Sequence, residues 1–201
     1  TALGNRSYSM VFNGTDLTDT LSPGMRLKMT RTVTAPTQCT DLEASSSQYF
    51  SKSSPAGMTF TDDFVVSAWV KLESYTAGNI ISRYNGTSGW QLRVDATGTI
   101  SLVGYNAGAA NYSLITSSRS LPLNKWVHIA AQLDMSAFTT TTTTSYVMFD
   151  GMDVVSTVAR GGTNPTALVQ AGNLEVGSAN ATAYFDGKIA QVAVYSAKVT
   201  Q

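Results

Sequence analysis

The stretch Phe64-Val65-Val66-Ser67-Ala68-Trp69-Val70-Lys71-Leu72 decides the fold. From Ser67 onward it alternates, with Ala68, Val70 and Leu72 at every second position. A period of two places successive side chains on opposite faces of a strand, whereas a helix needs apolar spacings of three and four. Working outward, the same pattern returns at residues 79–84, 90–95, 99–105, 112–116, 126–133, 146–149, 154–158, 174–176 and 188–195. Between these runs stand Asn85-Gly86-Thr87-Ser88-Gly89, Asp95-Ala96-Thr97-Gly98 and Asp150-Gly151-Met152-Asp153. Gly, Asn and Asp supply the left-handed and side-chain-bonded conformations of tight turns. Many short strands joined by such turns predict an all-β sandwich or jelly roll.

Composition agrees. Of 201 residues, 43% are apolar, enough for a full core, while charged residues make up 13%, about half the usual share. The net charge is +0, so no overall field favours nucleic acid or an anionic membrane. Cys39 is the single cysteine, which excludes an internal disulfide. No apolar run approaches the length of a membrane helix, and membrane insertion is not expected. The first ten residues are polar and lack the apolar segment of a secretory leader. Asn-X-Ser/Thr triplets occur at Asn5, Asn13, Asn85, Asn111 and Asn180, but glycosylation is not expected, and Asn13-Gly14 and Asn85-Gly86 read more simply as turn dipeptides.

Residues 1–40 stand apart as a strand-like extension ahead of a domain at 41–201. Tyr8, Met10 and Phe12 alternate, as do Met25, Leu27 and Met29, with Pro23-Gly24 between them. Arg6, Arg26, Lys28 and Arg31 outnumber Asp16 and Asp19. Two readings stay open: the extension adds strands to the edge of the sandwich, or it forms an arm that completes a neighbouring subunit's sheet. The six threonines 139–144 are β-branched and read as a protruding hairpin tip.

Four motifs and their order carry a family resemblance. They are Phe64 through Val70, then Asn124-Lys125-Trp126-Val127-His128-Ile129-Ala130, then Tyr146-Val147-Met148-Phe149-Asp150-Gly151, and finally Phe185-Asp186-Gly187-Lys188-Ile189-Ala190-Gln191-Val192-Ala193-Val194-Tyr195. Together they resemble the laminin-G/pentraxin-like branch of the concanavalin A-like lectin family, over residues 41–195. The resemblance implies a concanavalin A-like jelly roll. It makes the stretch from Asp41-Leu42 to Gln48-Tyr49-Phe50 the opening strand, and it reads Trp69, Trp126 and Phe185 as core. Since these motifs describe the core, function is expected in the loops and in residues 1–40. Relatives often bind calcium at the rim and close on Ile-Asp-Glu-Val; here Ile189-Ala190-Gln191-Val192 lacks both acids. No cofactor is expected, and a calcium site has no support in the sequence.

The candidate chemistry is therefore that of sugar binding, where aromatics stack on sugar faces and amides meet hydroxyls. The first candidate is Tyr105-Asn106-Ala107-Gly108-Ala109-Ala110-Asn111-Tyr112, with Tyr105, Asn106, Asn111 and Tyr112 as ligand-facing residues. The second is Tyr84-Asn85-Gly86-Thr87-Ser88-Gly89-Trp90, with Tyr84 and Asn85. His128, the single histidine, reads as structural beside Trp126, and Cys39 reads as buried or inert. Glycosidases of the superfold need a close carboxylate pair. Glu43, Glu73 and Glu175 are isolated in the sequence, Gly-X-Ser-X-Gly is absent, and no catalytic residue is assigned.

Three classes of function follow, in order. The first is a non-enzymatic structural or adhesive module of a bacteriophage virion, in a capsid decoration or a tail fibre, made in the host cytoplasm. The stretch Thr30-Arg31-Thr32-Val33-Thr34-Ala35-Pro36 resembles sequences of such proteins. Its expected partners are other virion subunits or further copies of itself through residues 1–40, together with surface glycans. The second is a carbohydrate-binding module or adhesin at a bacterial surface. The third is a glycoside hydrolase.

Overall fold

A computed structural model describes residues 34–53, 55, 57–60, 63–106, 112–134, 145–162, 168, 170 and 172–196. The alternating runs of the N-terminal extension and the threonine run lie outside the described residues. The predicted alternation appears as β1 (Thr40–Leu42), β2 (Phe50–Lys52), β3 (Phe64–Leu72), β4 (Gly78–Tyr84), β5 (Gly89–Val94), β6 (Thr99–Tyr105) and β7 (Tyr112–Ser120). It continues as β8 (Val127–Leu133), β9 (Tyr146–Phe149), β10 (Met152–Val154), β11 (Ser156–Gly161), β12 (Leu174–Val176) and β13 (Gly187–Tyr195). These pair antiparallel in a six-stranded sheet, ordered β1-β13-β3-β8-β9-β10, and a seven-stranded sheet, ordered β11-β7-β6-β5-β4-β12-β2. The architecture is an all-β sandwich consistent with a concanavalin A-like jelly roll.

The core forms where the two inner faces meet. From β3, Phe64, Val66, Ala68, Val70 and Leu72 join a cluster with Ile81, Leu92, Leu102 and Ile115 of the facing sheet. The last four are cross-strand neighbours, Ile81 to Leu92 to Leu102 to Ile115, so one apolar row crosses four strands. Phe64 is the aromatic hinge of the cluster, with its ring centroid 5.1 Å from Phe60 and 5.6 Å from Trp90.

Three sequence expectations need correction. First, the tryptophans divide differently. Phe185 and Trp90 are fully buried in the core, but Trp69 lies on the opposite face of β3, outside the inter-sheet cluster, and Trp126 is half-buried before β8. Alternation requires the Trp69 result: Ala68 and Val70 face inward, so Trp69 cannot. Its partner there is His128, directly across the strand pair, with ring centroids 5.4 Å apart.

Second, the run 154–158 is two strands in different sheets. The chain crosses over at Val155, which is exposed, so β10 ends one sheet and β11 begins the other. Ser156 Oγ donates to the Val154 carbonyl at 2.7 Å and Ser118 N–H to the Val155 carbonyl at 2.7 Å, fixing the corner where a strand switches sheets. Third, the opening strand is likewise split, into β1 and β2, by a single 3-10 turn at Ala44–Ser46. At the far end β13 carries a bulge between Ala190 and Ala193, with Gln191 at φ 49°. The Ala190-Gln191 pair that replaces the acids of the related motif thus sits at a break in the ladder.

Candidate functional site

The outward face of the seven-stranded sheet is built by the same alternation that fills the core. In β5 the sequence Trp90-Gln91-Leu92-Arg93-Val94 sends Trp90, Leu92 and Val94 inward. Gln91 and Arg93 then face outward. Tyr84, Gly89, Tyr105 and Tyr112 occupy one cross-strand row of that outward face. Tyr84 and Tyr105 are two strands apart, so their backbones are separated by roughly 10 Å. Their ring centroids are nevertheless 5.0 Å apart, because Gly89 between them carries no side chain. Tyr105 and Tyr112 meet edge-on at 6.3 Å. Gly161 closes the row, and a Cβ there would overlap the Tyr112 ring. Glycine at both positions gives the rings room to lie along the sheet.

Beside this row is a cleft of about 330 Å³, lined by Gly78, Asn79, Gln91, Arg93, Asp95, Tyr105 and the loop residues Ala179, Thr182 and Ala183. The loop follows β12 and folds over the start of β4. Asn79 N–H donates to the Ala183 carbonyl at 2.9 Å, and Ala179 and Thr182 exchange backbone bonds at 3.0 Å. Glu175, on β12 and 3% exposed, anchors the loop from beneath, accepting from Ala181 N–H at 3.0 Å and from the Ser178 hydroxyl. Asn180, Ala181 and Ala183 all have positive φ, at 51°, 53° and 49°. Left-handed backbone costs a non-glycine residue about 1–2 kcal/mol. The loop is held in this form by its bonds to the sheet.

The polar groups in the cleft are unequally engaged. Asp95 Oδ1 accepts from Thr97 N–H at 2.8 Å, the Thr97 hydroxyl at 2.6 Å and Thr99 N–H at 3.2 Å, and the Thr99 hydroxyl meets Oδ2. Burial pushes this carboxyl up. The hydroxyls and N–H groups of Thr97 and Thr99 outweigh it and hold the pKa below the ordinary value. Arg93 donates to the Tyr105 phenol oxygen at 3.2 Å and makes no ion pair among the described residues. Burial raises the Tyr84 phenol above its ordinary value, Tyr105 raises it further, and Arg93 opposes both. Near neutral pH the phenol keeps its proton, which it donates to the Gly86 carbonyl at 2.6 Å.

The depressed carboxyl of Asp95 makes a prediction. A carboxylate whose folded pKa is lowered contributes stability above its unfolded pKa and loses it as pH falls through the folded value. Asp95→Ala is expected to cost about 1–2 kcal/mol at pH 7. The difference from wild type should shrink below about pH 4 as the carboxyl protonates. Chemical denaturation of both proteins at pH 7 and pH 3 checks this; an equal gap at both would refute it.

The sequence candidates fall unevenly around the site. Tyr84, Tyr105 and Tyr112 come together. Asn106 is half-buried at the end of β6, and Asn111 lies outside the described residues. Asn85 Oδ1 is engaged within its own turn, accepting from Thr87 N–H at 3.0 Å and Ser88 N–H at 2.8 Å. Sequence reasoning missed Gln91, Arg93 and Asn79. For Gln91 and Arg93 the signal was present in the alternation of β5. For Asn79 it was hidden: a bulge between Asn79 and Ile81 places both Ile80 and Ile81 in the core.

The isolated acids also need correction. Asp41, Glu43 and Glu73 converge, with ligand atoms all within 4.8 Å of one another. Lys188 occupies the same place: its ammonium pairs with Asp41, its cross-strand neighbour, and lies 3.4 Å from Glu73. The cluster is an ion-paired seam between β1 and β13. The His128 ring lies tilted against Trp69, and its backbone N–H donates to Asp150 Oδ1 at 2.9 Å. Cys39, expected to be buried or inert, is exposed.

A family model described as the concanavalin A-like lectin/glucanases superfamily matches residues 44–201. The chain belongs to this superfamily. A search of the curated proteins gave no match. Among solved structures, similar ones include a Bacteroides ovatus protein, 20% identical with a TM-score of 0.52 over 76% of this chain and 42% of its own. Another is the Ruminococcus gnavus IT-sialidase CBM40 bound to alpha2,3 sialyllactose, at 13% identity and TM-score 0.53, covering 70% of this chain and 79% of that one. A third is the botulinum neurotoxin serotype G binding domain, at 16% identity and TM-score 0.59, covering 79% of this chain and 39% of that one. The chain thus spans less than half the length of the first and third. At these identities the likeness is one of fold, and the fold is lectin-like.

Proposed function

We propose that this chain is a non-enzymatic carbohydrate-binding module whose site is the outward face of the seven-stranded sheet, from the tyrosine row of Tyr84, Tyr105 and Tyr112 to the adjoining cleft. The observation that carries the reading is the convergence of three tyrosines from three strands beside a cleft lined by Gln91, Arg93 and Asn79. Aromatic faces pack on the apolar faces of sugar rings, while amide and guanidinium groups bond hydroxyls. The sialyllactose-bound relative supports the reading as an example of this fold holding a glycan.

Hydrolysis fits the site poorly. A glycosidase needs two carboxyl groups flanking the bond. The cleft holds one described carboxylate, Asp95, already engaged by Thr97 and Thr99. The carboxylates that converge elsewhere enclose the Lys188 ammonium.

Binding is tested by a glycan array followed by calorimetry. Tyr112→Ala is expected to weaken the best array ligand by about tenfold or more, equivalent to roughly 1.4 kcal/mol. Tyr105→Phe, which keeps the ring, should weaken it less. No binding to any glycan, or equal binding by wild type and Tyr112→Ala, would refute the assignment.

For its setting we favour a bacteriophage virion, as a decoration or tail-fibre component contacting other subunits through residues 1–40. The low charge, the lack of a cysteine framework and the Thr30–Pro36 stretch support this placement. Light scattering on the full chain is expected to find a defined oligomer that deletion of residues 1–33 dissociates. A monomer at micromolar concentration would favour the alternative, a carbohydrate-binding module at a bacterial surface.

A further inference from the structure

Arg93 lines the cleft and forms no ion pair among the described residues. A guanidinium offers five N–H donors in a fixed fork suited to a carboxylate. One of its nitrogens meets the Tyr105 phenol oxygen at 3.2 Å, and Arg93 has no ion pair among the described residues. Asp95, two residues along the same strand, also lines the cleft, but its oxygens are taken by Thr97 and Thr99. A second group in the cleft is also incomplete. Asn79 is 3% exposed; its Nδ2 donates to the Ala183 carbonyl at 3.3 Å, while its buried Oδ1 has no hydrogen-bond partner. A buried acceptor left without a donor costs about 1–3 kcal/mol. The cleft therefore holds a guanidinium in no ion pair, a carboxylate engaged by its own turn and, within the wall formed by Asn79, a buried acceptor without a donor.

Resting on the reading of this face as a sugar site, we propose that the cleft takes a carboxylate-bearing sugar. The carboxylate pairs with Arg93, and a turn of the Asn79 amide toward the cleft lets a hydroxyl or amide N–H on the same ring donate to its Oδ1. A neutral sugar would satisfy Asn79 and leave Arg93 unpaired. A simple inorganic anion would do the reverse. A sugar acid satisfies both, and the neighbouring tyrosines cover its apolar face.

Calorimetry on the full chain tests this with matched pairs: a galacturonic acid trisaccharide against its methyl ester, and sialyllactose against lactose. At least one acid should bind about tenfold tighter than its neutral partner, and less tightly as salt rises. Arg93→Gln should abolish that preference, leaving acid and neutral forms equally weak, and Arg93→Lys should restore part of it. Thermal melting of each variant confirms that it is folded. If acid and neutral forms bind wild type equally, and Tyr112→Ala weakens both, the carboxylate inference fails while the sugar site stands. If the acid is preferred but Arg93→Gln leaves the preference intact, the assignment to Arg93 fails. If no probe or array glycan binds, both readings fail.

Discussion

Trp90→Ala is expected to destabilise the fold by about 3–5 kcal/mol, the range for deleting a large buried aromatic. For a chain of this size that corresponds to a fall in Tm of roughly 6–20 °C. The side chain is fully buried and packs against Phe64 at a centroid distance of 5.6 Å, joining the two sheets. Its truncation removes both the transferred area and the contacts around the cavity left behind. The indole N–H refines the prediction. Trp90 Nε1 is buried without a hydrogen-bond partner, so part of what the ring contributes is offset by an unanswered donor. Trp90→Phe keeps most of the ring and removes that donor. It should cost much less than Trp90→Ala, by about 2 kcal/mol or more. Urea unfolding of the three proteins decides it. Equal losses for Phe and Ala would mean that the second indole ring, and not the aromatic contact with Phe64, carries the stabilisation.

The strands were legible because alternation and turn chemistry are local. The predicted runs from residue 79 to residue 149 each correspond to a strand, and Asp95-Ala96-Thr97-Gly98 forms the expected turn, with Asp95 bonded to its own loop. What the sequence hides is which sheet a strand joins. Residues 154–158 read as one run after a turn, but the crossover at Val155 depends on which partners stand beside it, β9 on one side and β7 on the other. The tryptophans show the same limit. A motif marks Trp69 as large and buried, but the face a tryptophan occupies follows from the parity of its neighbours, which puts Trp90 inside and Trp69 outside.

The candidate site divides along similar lines. Tyr105 and Tyr112 were readable as a pair because they flank one hairpin loop. Tyr84 belongs with them only through the register of β5 between β4 and β6. Arg93 and Gln91 were visible as the polar half of an alternating strand. Glu175 holds the loop after β12 through local bonds to Ser178 and Ala181, but nothing local places that loop over Arg93 and Gln91, because β12 pairs with β4 across a sequence gap of some ninety residues.

Gly89→Ala is the substitution expected to damage fold and site together. Gly89 opens β5 at φ +124°, a conformation that L side chains rarely adopt. Strained backbone of this kind costs of order 1–3 kcal/mol. A Cβ at this position would also overlap the carbonyl oxygen of Arg83 on the neighbouring strand. That oxygen is backbone in a paired strand and cannot swing aside as a side-chain tip could. Relief requires the β4–β5 ladder to part at its end, where Tyr84 faces Gly89 across the pair. The combined cost should reach about 3 kcal/mol or more, with a fall in Tm of roughly 6–12 °C. The same movement displaces Tyr84 from Tyr105, since their 5.0 Å approach depends on the empty position between them. Glycan affinity should therefore fall even at temperatures where the variant remains fully folded. The substitution Gly86→Ala, in the same turn, provides the control. Gly86 also has a positive φ, at +95°, but a Cβ there meets only the Asn180 side chain, whose nitrogen lies at 3.2 Å. Its substitution should cost the backbone strain alone and leave the tyrosine row in place. Equal losses of affinity in the two variants would show that a flexible turn, and not the empty position between the rings, governs binding.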